Sequence, residues 1–133
     1  MVRMKLSRIV ISETSENQII VLKEENGERQ FPILIGIYEA TAIDRSLKEI
    51  RAPRPLTHDL VCSIITALDA EVERVVVCDL RNTTFYARII LRHDGKLIEV
   101  DSRPSDAIAI ATQLDAPIYV DEKVIEQVGQ ENA

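Results

Sequence analysis

The chain of 133 residues is long enough for one domain with a real core, and its 46% hydrophobic and 29% charged content is that of a folded protein rather than a disordered one. A net charge of −6 argues against a module that grips nucleic acid by bulk electrostatics, and no apolar run approaches the length of a membrane span. Cys62 and Cys78 lie in apolar segments without CxxC spacing, and the N-terminus lacks the apolar stretch of a signal peptide; reduced core cysteines in a cytoplasmic protein are expected.

In chain order, residues 4–11 read as a strand, with Leu6, Ile9 and Ile11 alternating only in part and Val10 apolar too. Residues 18–25 and 28–35 follow as two more, joined at Asn26-Gly27, a strong hairpin signal. Gly36 ends the third strand, and Ile37, Ala40, Ile43, Leu47 and Ile50 then recur at helical spacing, predicting a helix over residues 37–50. The prolines at 53 and 55 cannot continue it. Thr57 is the expected N-cap of an inserted helix over residues 57–69, with Asp59 in its first turn.

From residue 71 the β pattern returns. Strands are expected over residues 72–80, 84–92 and 96–101, with Asp94-Gly95 as the last turn. Pro104 suits the first position of the next helix, in which Ala107, Ile108, Ala111 and Leu114 share a face. Residues 117–120 read as a short edge strand, Asp121 as the cap of a helix over residues 122–128, and residues 129–133 as a frayed tail.

Glu39-Ala40-Thr41-Ala42-Ile43 echoes Asp106-Ala107-Ile108-Ala109-Ile110: carboxylate, Ala, β-branched, Ala, Ile. With the matching element order, this predicts one α+β domain over residues 1–133. Two duplicated βββα units, residues 4–50 and 71–115, form a mainly antiparallel sheet with helices on one face. Glu39 and Asp106 then open equivalent helices. Close helix packing through their alanines would bring the two carboxylates near one another.

The residues suited to chemistry cluster at these helix starts. Glu39, Asp101 and Asp106 offer hard oxygen ligands for Mg²⁺ or Mn²⁺, although first-turn acids also complement a helix dipole without any function. Arg103 suits either an ion pair with Asp101, Asp106 or Glu99, or a phosphate. Ser102 or Ser105 is expected to cap the helix. His58 is the best available acid or base, while a solvated first-turn histidine is the blander reading; His93 reads as solvated. Arg51 and Arg54 continue a basic run begun by Arg45 and Lys48. No G-x-S-x-G elbow, P-loop, G-x-G-x-x-G or H-E-x-x-H is present, and 4% aromatic content with no Trp disfavours a base-stacking platform.

The runs Arg54-Pro55-Leu56-Thr57-His58-Asp59-Leu60 and Phe85-Tyr86-Ala87-Arg88-Ile89 resemble the bifunctional nuclease domain family, as does the segment from Ile98 through Ser102-Arg103-Pro104-Ser105-Asp106 to Ala109. Residues 36–43 carry the same resemblance. It implies an internally duplicated α+β fold, often assembled as a homo-oligomer, and nuclease activity on DNA and RNA. The residues that chemistry would then select are His58, Arg103 and Asp106 for catalysis, and Glu39, Asp101 and Asp106 for a divalent metal. Arg51, Arg54 and Arg103 would contact nucleic acid. The competing expectation is a non-catalytic, oligomeric binding or regulatory protein in which residues 102–106 form a structural knot.

Overall fold

The computed structural model describes residues 1–12 and 14–131, and the side chains only as far as residue 129. Strands β1 (Val2–Val10), β2 (Gln18–Glu24) and β3 (Gln30–Ile35) lead into helix α1 (Ile37–Leu47), and α2 (Thr57–Ala67) follows. Strands β4 (Glu71–Arg81), β5 (Thr84–His93) and β6 (Lys96–Ser102) lead into α3 (Pro104–Leu114), then β7 (Ile118–Val120) and α4 (Glu122–Glu131). The class is α+β as expected. One seven-stranded sheet runs in the order β3-β2-β1-β7-β4-β5-β6, and every pairing is antiparallel except that of β4 with β7.

β7 is therefore not the edge strand that its length suggests. It lies between β1 and β4 and joins the two three-stranded meanders into one sheet. Buried Ile118 and Val120 explain the placement, because they enter the same core as Met4, Val75 and Val77. The two meanders share an order of elements; a shared origin rests on the sequence echo alone.

Local chemistry accounts for the other departures. In β1 a bulge between Leu6 and Arg8 shifts the register, so Leu6 and Ile9 face the core at a spacing of three. Asn26-Gly27 does not make a two-residue turn. The Glu24 amide donates to the Arg29 carbonyl at 2.9 Å, closing a four-residue loop, and the Glu25 amide turns away to the Arg3 carbonyl at 3.0 Å. Asp94-Gly95 does turn β5 into β6, with φ of 50° and 75°. Asn82 and Thr83, at φ 48° and 66°, make the same left-handed pair between β4 and β5.

Helices α1 and α2 stop before residues 50 and 69 by the same device. Glu49 and Asp69 adopt left-handed φ of 56° and 58°. The amides of Ile50 and Ala70 then reach back to the carbonyls of Arg45 and Ile65, at 3.0 and 3.1 Å. This is the usual hydrogen-bond pattern of a helix C-terminus, built without glycine. At its start α2 is capped by Leu56 rather than Thr57, and the Leu56 amide donates to Asp59 Oδ2 at 2.9 Å. Asp121 does cap α4, accepting from the Lys123 amide at 3.1 Å. That helix continues through Glu131, so residues 129–131 are not a frayed tail, while residues 132–133 lie outside the described residues.

The sheet curls around α3, whose residues 107–111 are all buried. Phe31 of β3 and Phe85 of β5 stack with ring centroids 5.7 Å apart, although four strands separate them in the sheet order. Arg29 helps to hold the curl, donating to Glu24 and, at 2.5 Å, to Glu122 at the start of α4. The Arg29 bond holds the Glu122 carboxyl below its ordinary range. Both partners are about half exposed, so their contribution to stability is small. Buried apolar area carries the fold instead. Ile108 has no exposed surface. Ile108→Ala should cost about 2–5 kcal/mol in urea-monitored unfolding, whereas Glu122→Gln should cost under about 1 kcal/mol.

Candidate functional site

Helices α1 and α2 both pack against α3, and the pairing of α1 with α3 is close because small side chains meet there. Ala40, Ala107 and Ala111 are all buried to within 1% exposure. Pro104 fixes the first turn of α3, with Arg103 at its N-cap in an extended conformation. Glu39 and Asp106 each occupy the third position of their helix, and His58 the second position of α2.

Two side-chain pairs tie these three helix starts together. His58 Nε2 lies 2.9 Å from Asp106 Oδ1, with only 14% of the histidine side chain exposed. An ionised carboxylate can only accept, so Nε2 donates in this pair and Nδ1 is the ring nitrogen without a hydrogen-bond partner among the described residues. Arg103 Nη2 lies 3.6 Å from Glu39 Oε1. Glu39 is mostly covered at 14% exposure, whereas Arg103 is 69% exposed. Such a surface pair is worth roughly 0–1 kcal/mol, so it orients the guanidinium without consuming it.

Gly36 has a specific task here. Its φ of −78° is open to any residue, but a Cβ at this position would lie 2.6 Å from Glu39 Oε2. The missing side chain is what lets the Glu39 carboxylate fold back over the start of α1.

Two neighbouring clefts open beside the α3 N-terminus and share Thr84, Phe85 and Arg103. One, of about 440 Å³, is also lined by Tyr86, Asp101, Ser102 and Asp106. The other, of about 500 Å³, runs between β3, the β4–β5 turn, Pro104 and α4, and has no carboxylate among the described residues lining it. Arg103 stands between an acidic cleft and an apolar one.

The sequence-selected residues distribute unevenly over this geometry. Asp101, Arg103 and Asp106 share the acidic cleft, His58 is bonded to Asp106, and Glu39 touches Arg103. Glu39 pairs with Arg103, the N-cap residue of the helix that carries Asp106 at its third position. Arg103 takes Glu39 as its ion-pair partner, not Asp101, Asp106 or Glu99; Glu99 instead accepts from Arg88 at 2.7 Å. His58 is not a solvated histidine. Neither serine caps α3: its N-cap makes no side-chain bond, and the Ser102 hydroxyl donates to the Arg103 carbonyl at 2.8 Å.

Arg51 and Arg54 are exposed in the α1–α2 linker and line neither cleft. Lys48 is drawn into a pair with Asp44 at 3.0 Å. Among the described residues, no three His, Cys, Asp or Glu side chains are grouped closely enough to hold a metal ion. Glu39, Asp101 and Asp106 are thus not a ready-made cation cage.

Sequence reasoning missed Thr84 and Gly36. A strand-starting threonine carries no signal of a cleft, and Gly36, although it opens the stretch that resembles the family, reads as a strand terminator with no role at a site. Cys62 is buried, and burial pushes its thiol pKa up, which suits an inert core residue rather than a nucleophile. No described helix is long and apolar enough to cross a membrane.

An uncharacterized protein of Mycobacterium tuberculosis is 44% identical over 118 residues, covering 88% of this chain and 70% of that protein. Rice bifunctional nuclease 1 is 28% identical over 118 residues, and Arabidopsis bifunctional nuclease 2 is 29% identical over 105. This chain spans only 36% and 32% of those two plant proteins. The family profile for the bifunctional nuclease domain matches residues 20–133, which include both clefts and all three helix starts, and the chain belongs to that family.

Proposed function

We propose that this protein is a nuclease that hydrolyses phosphodiester bonds of DNA or RNA in the acidic cleft beside the α3 N-terminus. The observation that carries the reading is the His58–Asp106 pair at 2.9 Å, adjoining a cleft that also presents Arg103. Asp106 holds the imidazole in one tautomer and His58 Nδ1 exchanges the proton, the division of labour in which a carboxylate orients a general base. Arg103 binds the phosphate and stabilises charge developing on it. Glu39 keeps the guanidinium at the cleft mouth. Arg51 and Arg54 steer more distant phosphates.

A divalent cation, Mg²⁺ or Mn²⁺, belongs to the proposal on electrostatic grounds. Glu39, Asp101 and Asp106 outnumber Arg103, and the chain as a whole carries −6. An incoming phosphodiester therefore needs added positive charge. Mg²⁺ is commonly held by one or two carboxylates together with substrate phosphates, so a closed protein cage is not required. Asp101 and Asp106, facing the same cleft, suit that role. Such an ion would polarise the phosphoryl group.

The reading includes a cytoplasmic location, supported by two unpaired cysteines, and a homo-oligomer. The second is supported by a stripe along α2 and its two cap residues, where Leu56, Leu60, Ile64 and Leu68 recur every four residues and are each 44–65% exposed. If that stripe seals an interface between copies, Leu60→Asp with Ile64→Asp should lower the mass measured by light scattering to that of a monomer.

The activity is tested with labelled single- and double-stranded DNA and RNA, in Mg²⁺, in Mn²⁺ and in chelator. His58→Ala should lower kcat by about 10²–10⁴-fold, and Arg103→Met by about 10²–10³-fold. Asp106→Asn should abolish most activity while the fold survives by circular dichroism. Gly36→Ala should raise KM by displacing Glu39 and freeing Arg103. Cleavage that survives loss of both His58 and Asp106 would refute this site. No cleavage by the wild type under any condition would favour a non-catalytic oligomeric protein in which residues 102–106 are a structural knot.

A further inference from the structure

The second cleft at Arg103 is not used by the chemistry above, and its lining differs from that of its neighbour. It is bounded by Leu34, Leu80, Phe85, Pro104 and Val128, with Arg103 at its border, and its volume is about 500 Å³. That lies within the range of roughly 300–1,000 Å³ occupied by small-molecule sites. Its polar groups are neutral hydroxyls, including those of Thr84 and Ser105, and its one charged group among the described residues is Arg103. A ligand that fits it is largely apolar at one end and anionic at the other.

We infer that this cleft is a nucleoside subsite, which receives the base and sugar flanking the phosphate held by Arg103. The inference rests on the phosphate-binding role given to Arg103 in the nuclease reading. It adds where the neighbouring nucleoside goes and what recognises it. Charge complementarity fixes the orientation. The phosphate sits at the shared border, the base enters the carboxylate-free side, and the acidic cleft lies on the other side of the phosphate. Phe85 reaches both clefts while stacking on Phe31 at 5.7 Å, so one side of its ring is already covered and the wall is rigid. A single apolar wall accepts one base, in keeping with a chain of 4% aromatic content rather than with a multi-base stacking platform.

Binding of adenosine 5′-monophosphate, ribose 5-phosphate and inorganic phosphate to the intact protein, measured by calorimetry, tests this without any need for cleavage. The nucleotide should bind at least tenfold more tightly than ribose 5-phosphate. Leu34 is 64% exposed on edge strand β3, so Leu34→Asp can place a carboxylate at the cleft without costing the fold. That variant should remove the tenfold preference, and Arg103→Met should weaken all three ligands. Equal binding of nucleotide and ribose 5-phosphate by the wild type, or a preference unchanged in Leu34→Asp, would overturn the subsite. Selective nucleotide binding by a protein that cleaves nothing would uphold the subsite and reject the nuclease reading. Cleavage without the preference would do the reverse.

Discussion

The burial of α3 is the constraint on which the rest of the structure depends. A helix with five consecutive buried residues, 107–111, cannot lie on the outside of a flat sheet. It needs apolar contacts on several sides, and the molecule supplies them by curling its sheet beneath α3 and setting α1 and α2 on its flanks. The Phe31–Phe85 stack and the insertion of β7 between two meanders follow from that demand. Alanines take the closest positions because larger side chains would hold the helices apart.

A helix gripped so tightly presents its N-terminus at a fixed place. Arg103, Pro104 and Asp106 therefore project from a rigid element, and the first turns of α1 and α2 arrive beside them because both helices pack on α3. The polar groups at this end satisfy one another in two pairs rather than forming one cluster. His58 with Asp106 is short and half-sheltered, whereas Arg103 with Glu39 is long and open. The first pair suits proton chemistry, and the second leaves a cation available to solvent and to phosphate.

Much of this was legible in the residues. Alternation and helical spacing gave the existence and order of the elements, and the echo of Glu39-Ala-Thr-Ala-Ile in Asp106-Ala-Ile-Ala-Ile placed two carboxylates at equivalent helix positions. The misplaced features have two causes, non-local pairing and local chemistry that lacks its usual signal. β7 looks like an edge strand because it is short, but its position depends on non-local pairing with β1 and β4, which no local pattern encodes. Helix ends at Glu49 and Asp69 use left-handed acidic residues where glycine is the usual signal. The partner of His58 lies forty-eight residues away, so a first-turn histidine looked solvated until α2 was docked on α3. The apolar cleft depends on the curl bringing β3 to the β4–β5 turn, and that curl has no signature in any one segment.

We propose that catalysis happens at the meeting of three helix starts, with the phosphate on Arg103 and the proton on His58. The most direct measurement is a crystal structure with a non-hydrolysable phosphorothioate dinucleotide. The account predicts the phosphorothioate within hydrogen-bonding distance of the Arg103 guanidinium and facing His58. A dinucleotide seated on the Arg51–Arg54 linker or on the outer face of the sheet, with the Arg103 clefts empty, would contradict it.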